Sequence, residues 1–468
     1  MRKSSKTASY NRKSYKNSRP RKAATATTTA RRRFVLFWIV IAIFAIWMAL
    51  KYLPAGWDQY RPLPEVIALI PLLVVPLVLL LPITGVTGNW PQFWVTVLLL
   101  IVQVAWQIGY VMPIPASLSP ILGVPVQNVT ASAEVNADAD ETASATATDH
   151  HTVRVMTLNT RYGRADTGTI MHLVKRYDID VLAVQEVNTG FIKRLDISHI
   201  EDELPYRVLG AVRDDDNAGS NALFLRLKPA IFGDSSVKIH AAAAPVATVR
   251  IGDQCVEFSS VHPKSPPRSG QDWSDGVRAL GQFALRADSR NEEGFSCYAD
   301  DDESGNAVND AQETASLVDG MTLDSDLLAG IPAELADIIT GGMMNDSSSG
   351  SGTSPVSKPA SDVTETAVIE LPDFSTPHHS AVVMGDTNSS IYHPSFRDAL
   401  RQGTGLADSS FELHAGFNTT FPASWPTFPS LIEIDHVLHT EGIRAISAHA
   451  HTVPKTDHKA LIVELEVR

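Results

Sequence analysis

The sequence predicts an α/β domain carried behind a set of membrane helices, and three observations lead there. Residues 34–112 contain three long apolar runs. From residue 151 onward, short runs rich in Val, Ile and Leu alternate with segments of helical periodicity, the texture of sheets covered by helices. Several of those runs also stop abruptly in polar groups. In "AVVMGDTNSS", residues 381–390, an apolar strand delivers Gly385, Asp386, Thr387 and Asn388 at its tip. Polar groups just past a buried strand lie where α/β sheets place their chemistry, although the same residue types also make ordinary turns.

Residues 1–33 hold twelve Lys or Arg and no acid. Such a segment cannot bury a core and reads as a disordered basic tail. The apolar runs follow: "FVLFWIVIAIFAIWMAL" from Phe34, a second from about Leu63 to Ile83, and a third from about Phe93 to Met112. Each approaches the twenty or so residues that cross a bilayer, with Trp and Tyr placed as interfacial anchors. Three transmembrane helices are expected over 34–112. A cleaved signal has one short apolar core, whereas here two more runs follow. Pro71, Pro76 and Pro82 make the second span the weakest of the three. With the basic tail held in the cytoplasm, three crossings place all that follows outside, giving a multi-pass protein of the cell membrane with an extracytoplasmic domain.

The formal net charge of −13 hides opposites. Residues 291–378 alone hold eighteen acids and one base, whereas 151–290 together with 379–468 come to about −3. The acidic stretch reads as a low-complexity insertion, disordered apart from a helical pattern at "LLAGIPAELADIIT". Residues 113–150, rich in Ala, Ser and Thr, read as a disordered linker. Cys255 and Cys297 are permitted to pair on the oxidising side of a membrane, but two cysteines do not establish a bond.

Within 151–468 the elements follow in order. "HTVRVMTLN" is a strand ending at Asn159, and 168–178 places Ile170, Leu173, Val174 and Tyr177 on one helical face. "DVLAVQEV" is a second buried strand, ending at Gln185-Glu186. "YRVLGAV" and "NALFLRL" follow as strands, then "ATVRIG" and "QCVEFSSVH" as a hairpin turned at Gly252-Asp253. "SDGVRALGQFALRADSR" reads as one helix. The chain closes with strands in "IDHVLHTEGIRAISAHAH" and "DHKALIVELEV". No internal repeat is visible.

Strand ends therefore collect Asn159, Glu186, His262, Asp386 with Asn388, Asp435 with His436, and Asp457 with His458. Carboxylates with a carboxamide suit a hard divalent ion such as Mg²⁺, and histidines beside carboxylates suit proton transfer near neutral pH. There is no Gly-rich phosphate loop, no Cys pair spaced for zinc and no Gly-x-Ser-x-Gly elbow. Metal-assisted hydrolysis of a phosphate ester fits the set best. His436 alternates to the opposite face of its strand and reads as structural, while His378, His379, His439, His449 and His451 read as surface residues.

The ordered motifs "MTLNTR", "LAVQEV", "SSVHP", "VMGDTNS", "EIDHVL" and "TDHKALIVEL" resemble those of the endonuclease/exonuclease/phosphatase superfamily, over about 152–290 and 379–468. The resemblance implies a four-layer αββα sandwich of two mixed β-sheets. It implies that Glu186 is the principal Mg²⁺ ligand, with Asn159 close to the ion, Asp457 assisting and Mn²⁺ as the alternative metal. It further implies that Asp386 orients or activates the attacking water and that Asn388 hydrogen-bonds the phosphoryl oxygens. His458, kept protonated by Asp435, would contact the phosphate, and His262 would serve the leaving group or the phosphate. The insertion of roughly ninety residues falls where the family has a short connection.

The expectation is a membrane-anchored, Mg²⁺-dependent phosphodiesterase, with a nucleic acid or a phospholipid head group as substrate, the bilayer as its other partner and no obligate protein partner in view. The rivals are a phospholipid head-group hydrolase of the sphingomyelinase kind in place of a nuclease, and a catalytically inactive binding module on the same fold. The near-neutral domain offers no global attraction for a polyanion. A local groove containing Arg161, Arg164, Arg213, Lys264 and Arg268 is the place where phosphates would be held.

Overall fold

A computed structural model describes residues 21–113, 151–212, 219–297, 378–424 and 428–468, with residues 21–33 described by their backbone alone. The expected linker, nearly all of the acidic insertion and Arg213 lie outside the described residues.

The first helix, α1 (Arg21–Ala49), begins inside the basic segment that was expected to be disordered, where Ala and Arg favour helix. The second apolar run is not one helix. It forms α2 (Leu63–Ala68), a 3₁₀ turn (Ile70–Leu73) and α3 (Val74–Val86). Pro71 sits in that 3₁₀ turn and lacks the N–H that a continuous helix would use. α4 (Trp90–Gln107) follows. Two helical stretches are long and apolar enough to cross a membrane, Phe34–Tyr52 with mean hydropathy 2.4 and Trp90–Tyr110 with 1.7, while the middle one, Ile70–Val86, is shorter. Two of the three expected spans thus have full length, and the middle apolar segment is shorter and interrupted by proline.

Residues 151–468 build two six-stranded sheets. Strands β1 (His151–Asn159), β2 (Val181–Val187), β3 (Tyr206–Leu209), β4 (Ser220–Leu225), β11 (Ile443–Thr452) and β12 (Lys459–Val467) form one, in the order β11-β12-β1-β2-β4-β3. Strands β5 (Ile231–Asp234), β6 (Pro245–Ile251), β7 (Gln254–Val261), β8 (His378–Asp386), β9 (Ala407–Asp408) and β10 (Asp435–His439) form the other, in the order β5-β6-β7-β8-β10-β9. Each sheet has one parallel pair, β1 with β2 and β7 with β8, among antiparallel neighbours, so both are mixed.

Alternation along the strands explains the layers. Val153 and Val155 of β1 point between the sheets, where they meet Val249, Phe258, Val382 and Met384. Met156 and Leu158 point outward to α5 (Thr167–Arg176) and α6 (Thr189–Ile197), packing with Ile170, Val174, Phe191 and Leu195. On the far side, Val261, Val383 and Leu438 pack on Trp273 and Val277 of α7 (Gly270–Ala279), Phe283 of α8 (Gln282–Glu293) and Phe396 of α9 (Pro394–Ala399). The result is the expected four-layer αββα sandwich. The helix expected over 274–290 is two helices instead. It breaks at Gly281, where a Cβ would lie 2.7 Å from the Ala399 carbonyl oxygen.

The cysteines pair: Cys255 of β7 is bonded to Cys297, with Cα atoms 6.0 Å apart. The bridge ties the chain just beyond α8, where the insertion departs, to β7 in the middle of its sheet. His379 and His439, expected at the surface, are buried, and His439 Nε2 lies 2.8 Å from Glu412 Oε2 of α10 (Ser409–Glu412).

Candidate active site

Strand ends from both sheets meet at one edge of the sandwich. Asn159 ends β1 and is buried. Its Nδ2 donates to Asp386 Oδ2 at 2.9 Å and to Glu186 Oε1 at 3.2 Å, while its Oδ1 accepts the Arg161 amide at 2.8 Å. The carboxamide therefore holds two carboxylates side by side. It presents nitrogen, rather than the expected oxygen, to the place where a metal would bind.

Glu186 reaches that position through local backbone irregularity. The pairing of β2 with β4 shifts register between Val184 and Val187, and Glu186 adopts a left-handed φ of 56°. A bulge re-aims one side chain without disturbing the sheet, and a strained non-glycine residue persists only where its surroundings hold it. The Tyr162 amide does so here, donating to Glu186 Oε2 at 2.8 Å.

Asp386 ends β8 and is buried among donors: Asn159, the Asn388 amide at 2.8 Å, His262 Nε2 at 3.5 Å and His458 Nε2 at 3.6 Å. Burial would raise its pKa, but the two imidazoles and Asn159 outweigh burial and hold it well below the usual carboxylate range. Directly before it, Gly385 is needed for close approach, because a Cβ there would lie 1.9 Å from the Val261 carbonyl oxygen. Asn388 sits at φ 50°, its Nδ2 donating to the Pro263 carbonyl and its own carbonyl accepting from Trp273 Nε1 at 3.0 Å.

Opposite Asp386, on β10, Asp435 is fully buried and its Oδ2 lies 2.8 Å from His458 Nδ1. Burial would lower the His458 pKa, but Asp435 and Asp386 reverse this and raise it to about 10. For His262, burial likewise acts downward and the neighbouring Asp386 and Glu186 win, so its pKa is raised. His458 is therefore cationic near neutral pH, and the carboxylates around His262 favour its protonated form. Asp457 stands at the rim and pairs with Arg161 at 3.4 Å. His436 faces away as expected, with Nδ1 2.5 Å from Asp408 Oδ2 and Nε2 3.0 Å from the Ser389 carbonyl oxygen.

Asp386, Asp435 and His458 offer ligand atoms within 4.8 Å of one another. A protonated His458 has no free lone pair, which disfavours it as a ligand. The oxygens of Glu186 and Asp386 that share Asn159 Nδ2, and the unpartnered Oδ1 of Asp435 beside Asp386, are the carboxylate donors on offer. They are hard oxygens of high negative charge density and fit a hard divalent cation.

All eight residues expected from sequence lie at or beside this edge. Sequence reasoning missed the groups that act through backbone or packing. Tyr162 fixes Glu186 with its main chain, Trp273 fixes Asn388, and Thr456 Oγ1 joins the His458 amide to the Asn159 carbonyl. Of these, only the lone Trp in the polar stretch "SGQDWSDG" carried a visible signal.

At the rim, Arg164 lies over the ring of the exposed Tyr162, 5.5 Å from its centroid, and Arg268 Nη2 lies 3.4 Å from its hydroxyl. Lys264 is engaged by Asp272 at 2.9 Å.

The sequence profile described as the endonuclease/exonuclease/phosphatase family matches residues 156–458. No curated protein matches the sequence. Solved structures similar to this chain include D. rerio TDP2 complexed with single-strand DNA product, at 10% identity over 67% of this chain and 98% of that one, with a TM-score of 0.38. A family protein from Bacteroides thetaiotaomicron is similar at 14% identity, covering 68% and 99%, with a TM-score of 0.38. A mannosyl-6-phosphatase from Bacteroides thetaiotaomicron VPI-5482 is similar at 14% identity, covering 67% and 99%, with a TM-score of 0.36. Likenesses this distant say nothing about substrate.

Proposed function

Because the chain belongs to the endonuclease/exonuclease/phosphatase family, whose members hydrolyse phosphoric esters, we propose that it is a membrane-anchored, extracytoplasmic, divalent-metal-dependent phosphodiesterase. The observation that carries this reading is the convergence of Asn159, Glu186, His262, Asp386, Asp435 and His458 from separate strand ends into one hydrogen-bonded network. An inactive binding module would have no need to keep two buried imidazoles beside aligned carboxylates.

In this reading Glu186, aided by Asp386, would hold Mg²⁺ or Mn²⁺, which would supply charge neutralisation at the phosphate. Asn159 keeps the two carboxylates aligned, and Asp457 steadies Arg161 at the rim. Asp386, with its low pKa, is a weak base. It aims the attacking water by accepting a hydrogen bond, and the proton that the water sheds as the new P–O bond forms leaves through Asp386 to solvent. Asn388 donates to a phosphoryl oxygen as charge builds, and cationic His458 contacts another. His262 gives a proton to the departing ester oxygen as the P–O bond breaks, or contacts the phosphate beside it. Arg164 and Arg268 around Tyr162 form the mouth at which a longer phosphodiester would rest.

Two observations support the extracytoplasmic side. The disulfide belongs to an oxidising compartment. The loop after α1 and the end of α4 both touch the sandwich, through Asp58 with Ser395 and through Tyr110 with Gly416. Because α4 reaches the sandwich with its C-terminal end, the α3–α4 turn at its start lies at the other end of the bundle. That arrangement favours three crossings, with the proline-broken segment as the middle one.

The direct test is an assay of the purified full chain with Mg²⁺ on DNA, RNA, sphingomyelin, phosphoinositides and simple phosphodiesters. Hydrolysis of at least one, abolished by chelation, is expected. No turnover on any would favour the binding-module reading.

A further inference from the structure

We propose that Asp58, in the loop between the first two apolar segments, is a positioning residue for the Asn388 loop, so that the membrane segment completes the active site instead of merely tethering it. The inference rests on the reading of Asn388 given above.

The loop from Asn388 to α9 is gripped from the N-terminal segment at three points. Asp58 is fully buried, and its carboxylate accepts the Ser395 amide at 2.9 Å and the Ser395 hydroxyl at 2.5 Å. His393 accepts the Ser390 amide on Nδ1 at 2.9 Å, which leaves the proton on Nε2 to donate to the Pro64 carbonyl at 2.9 Å. Arg397 donates to the Ile391 and Tyr392 carbonyls and also to the Lys51 carbonyl. Around these bonds Ile391, Tyr392 and Phe411 pack in one apolar cluster with Met48, Ile67 and Trp106.

The other support of Asn388 is α7, whose Trp273 holds the Asn388 carbonyl, and the same loop grips it too. Gly56 donates to Ser395 Oγ at 3.1 Å, and that oxygen lies 2.7 Å from Ser274 Oγ of α7. At the first residue of α7, a Cβ on Gly270 would lie 1.9 Å from the Gln59 carbonyl oxygen, so glycine is what lets the loop approach. Residues 56–59 thus bracket Trp273 from both sides while Asp58 fixes the loop that follows Asn388.

Without the Asp58 carboxylate, the buried Ser395 amide loses its acceptor, and the loop must move to find another. A displacement on the order of 1 Å at a reacting group costs about a hundredfold in rate. Asp58→Ala is therefore expected to lower kcat about 10- to 100-fold while changing KM less than about twofold. Asp58→Asn keeps one acceptor for the Ser395 amide and can donate to Ser395 Oγ. It is expected to restore kcat to within about threefold of wild type.

The test uses the full chain in nanodiscs with Mg²⁺ and the substrate found in the assay above, together with hydrogen exchange of amides 389–397. Faster exchange in that stretch, loss of kcat in Asp58→Ala and rescue in Asp58→Asn support the proposal. Lowered thermal stability with kcat unchanged, or exchange at 389–397 unchanged, overturns it. If Asp58→Ala does not fold, Ser395→Ala and Gly270→Ala weaken the same grip from the other side and are read in the same way. A wild-type chain with no turnover on any phosphate ester defeats the reading of the site, whereas the exchange measurement still decides whether Asp58 holds the loop.

Discussion

Asp386 and Asp435 stand directly opposite one another on adjacent antiparallel strands, and the His458 ring spans the pair, with Nδ1 2.8 Å from Asp435 Oδ2 and Nε2 3.6 Å from Asp386 Oδ2. Two buried carboxylates at register positions would repel and one would take up a proton. An imidazolium between them lets both stay ionised. It also leaves a cation beside the carboxylate assigned to the water.

The His458 charge is therefore expected to depend on Asp435. With its pKa at about 10, wild-type His458 keeps its proton through the neutral range and loses it only as the pH rises toward that value. Asp435→Asn removes the largest favourable influence, so the alkaline limb of the pH–rate profile should move down by at least about one unit. On the alkaline limb turnover should fall about tenfold for each unit moved, and the loss should shrink as the pH is lowered toward neutral. An alkaline limb left where it was would show that Asp435 does not set the charge.

Metal dependence should separate the three acidic-edge residues. Asn388→Ala is expected to lose roughly a hundred- to a thousandfold in turnover, the usual cost of one preorganised donor, with little change in stability. Asp386→Asn should lose as much or more. Glu186→Gln should weaken metal binding, so that raised Mg²⁺ restores much of its rate, whereas Asp386→Asn should stay well below wild type at saturating Mg²⁺ because its water is no longer aimed. The measurement is turnover against Mg²⁺ concentration, and near-normal rates in Asp386→Asn would return "GDTN" to an ordinary turn.

Most of this edge was legible because strand ends are marked by composition. Each functional side chain follows an apolar run whose period fixes its face, which also explains why His436 was read correctly as facing away from Asp435. The supporting contacts were not legible, because they run through main-chain groups, as at Tyr162, or through segments distant in sequence, as between Asp58 and Ser395. Strand β5 and helices α6, α9 and α10 are short and were missed for want of enough residues to show a period. The buried His439 was misread because its partner, Glu412, lies in one of those unmarked helices. In the second apolar run the prolines already mark the weak point, and the helix is interrupted at Pro71.

Topology has a direct readout. Protease added to intact cells should cut in the Ala-, Ser- and Thr-rich stretch 113–150 and release a fragment containing the Cys255–Cys297 disulfide. Cleavage seen only after lysis would place the domain in the cytoplasm and require an even number of crossings. In the isolated full chain, Cys255→Ser with Cys297→Ser should lower stability by about 2–4 kcal/mol, measured by denaturant unfolding in detergent.

The last prediction concerns a buried pair away from the reacting groups. His436 and Asp408 are both buried, and although burial pushes the His436 pKa down, Asp408 overrides it and raises it to about 9 from the ordinary 6.5. A histidine raised on folding contributes stability that is complete below the unfolded value and is lost as the pH climbs through the folded one. The contribution is therefore full below about pH 6.5, shrinks across the interval to 9 and is absent above it. At about 1.4 kcal/mol per unit it amounts to roughly 3 kcal/mol. Glu433 lies close by, and burial pushes its pKa up as well, so it holds a proton in the fold that the unfolded chain releases. Both groups make stability fall with rising pH. Thermal unfolding of the full chain in detergent at pH 6, 7.5 and 9 should show that decline. In Asp408→Asn the His436 share of the decline should disappear, so the variant should be much less stable than wild type at pH 6 and differ from it least at pH 9. A gap that stays constant across the three pH values would mean that His436 is neutral in the folded protein and that Asp408 acts only as a hydrogen-bond acceptor.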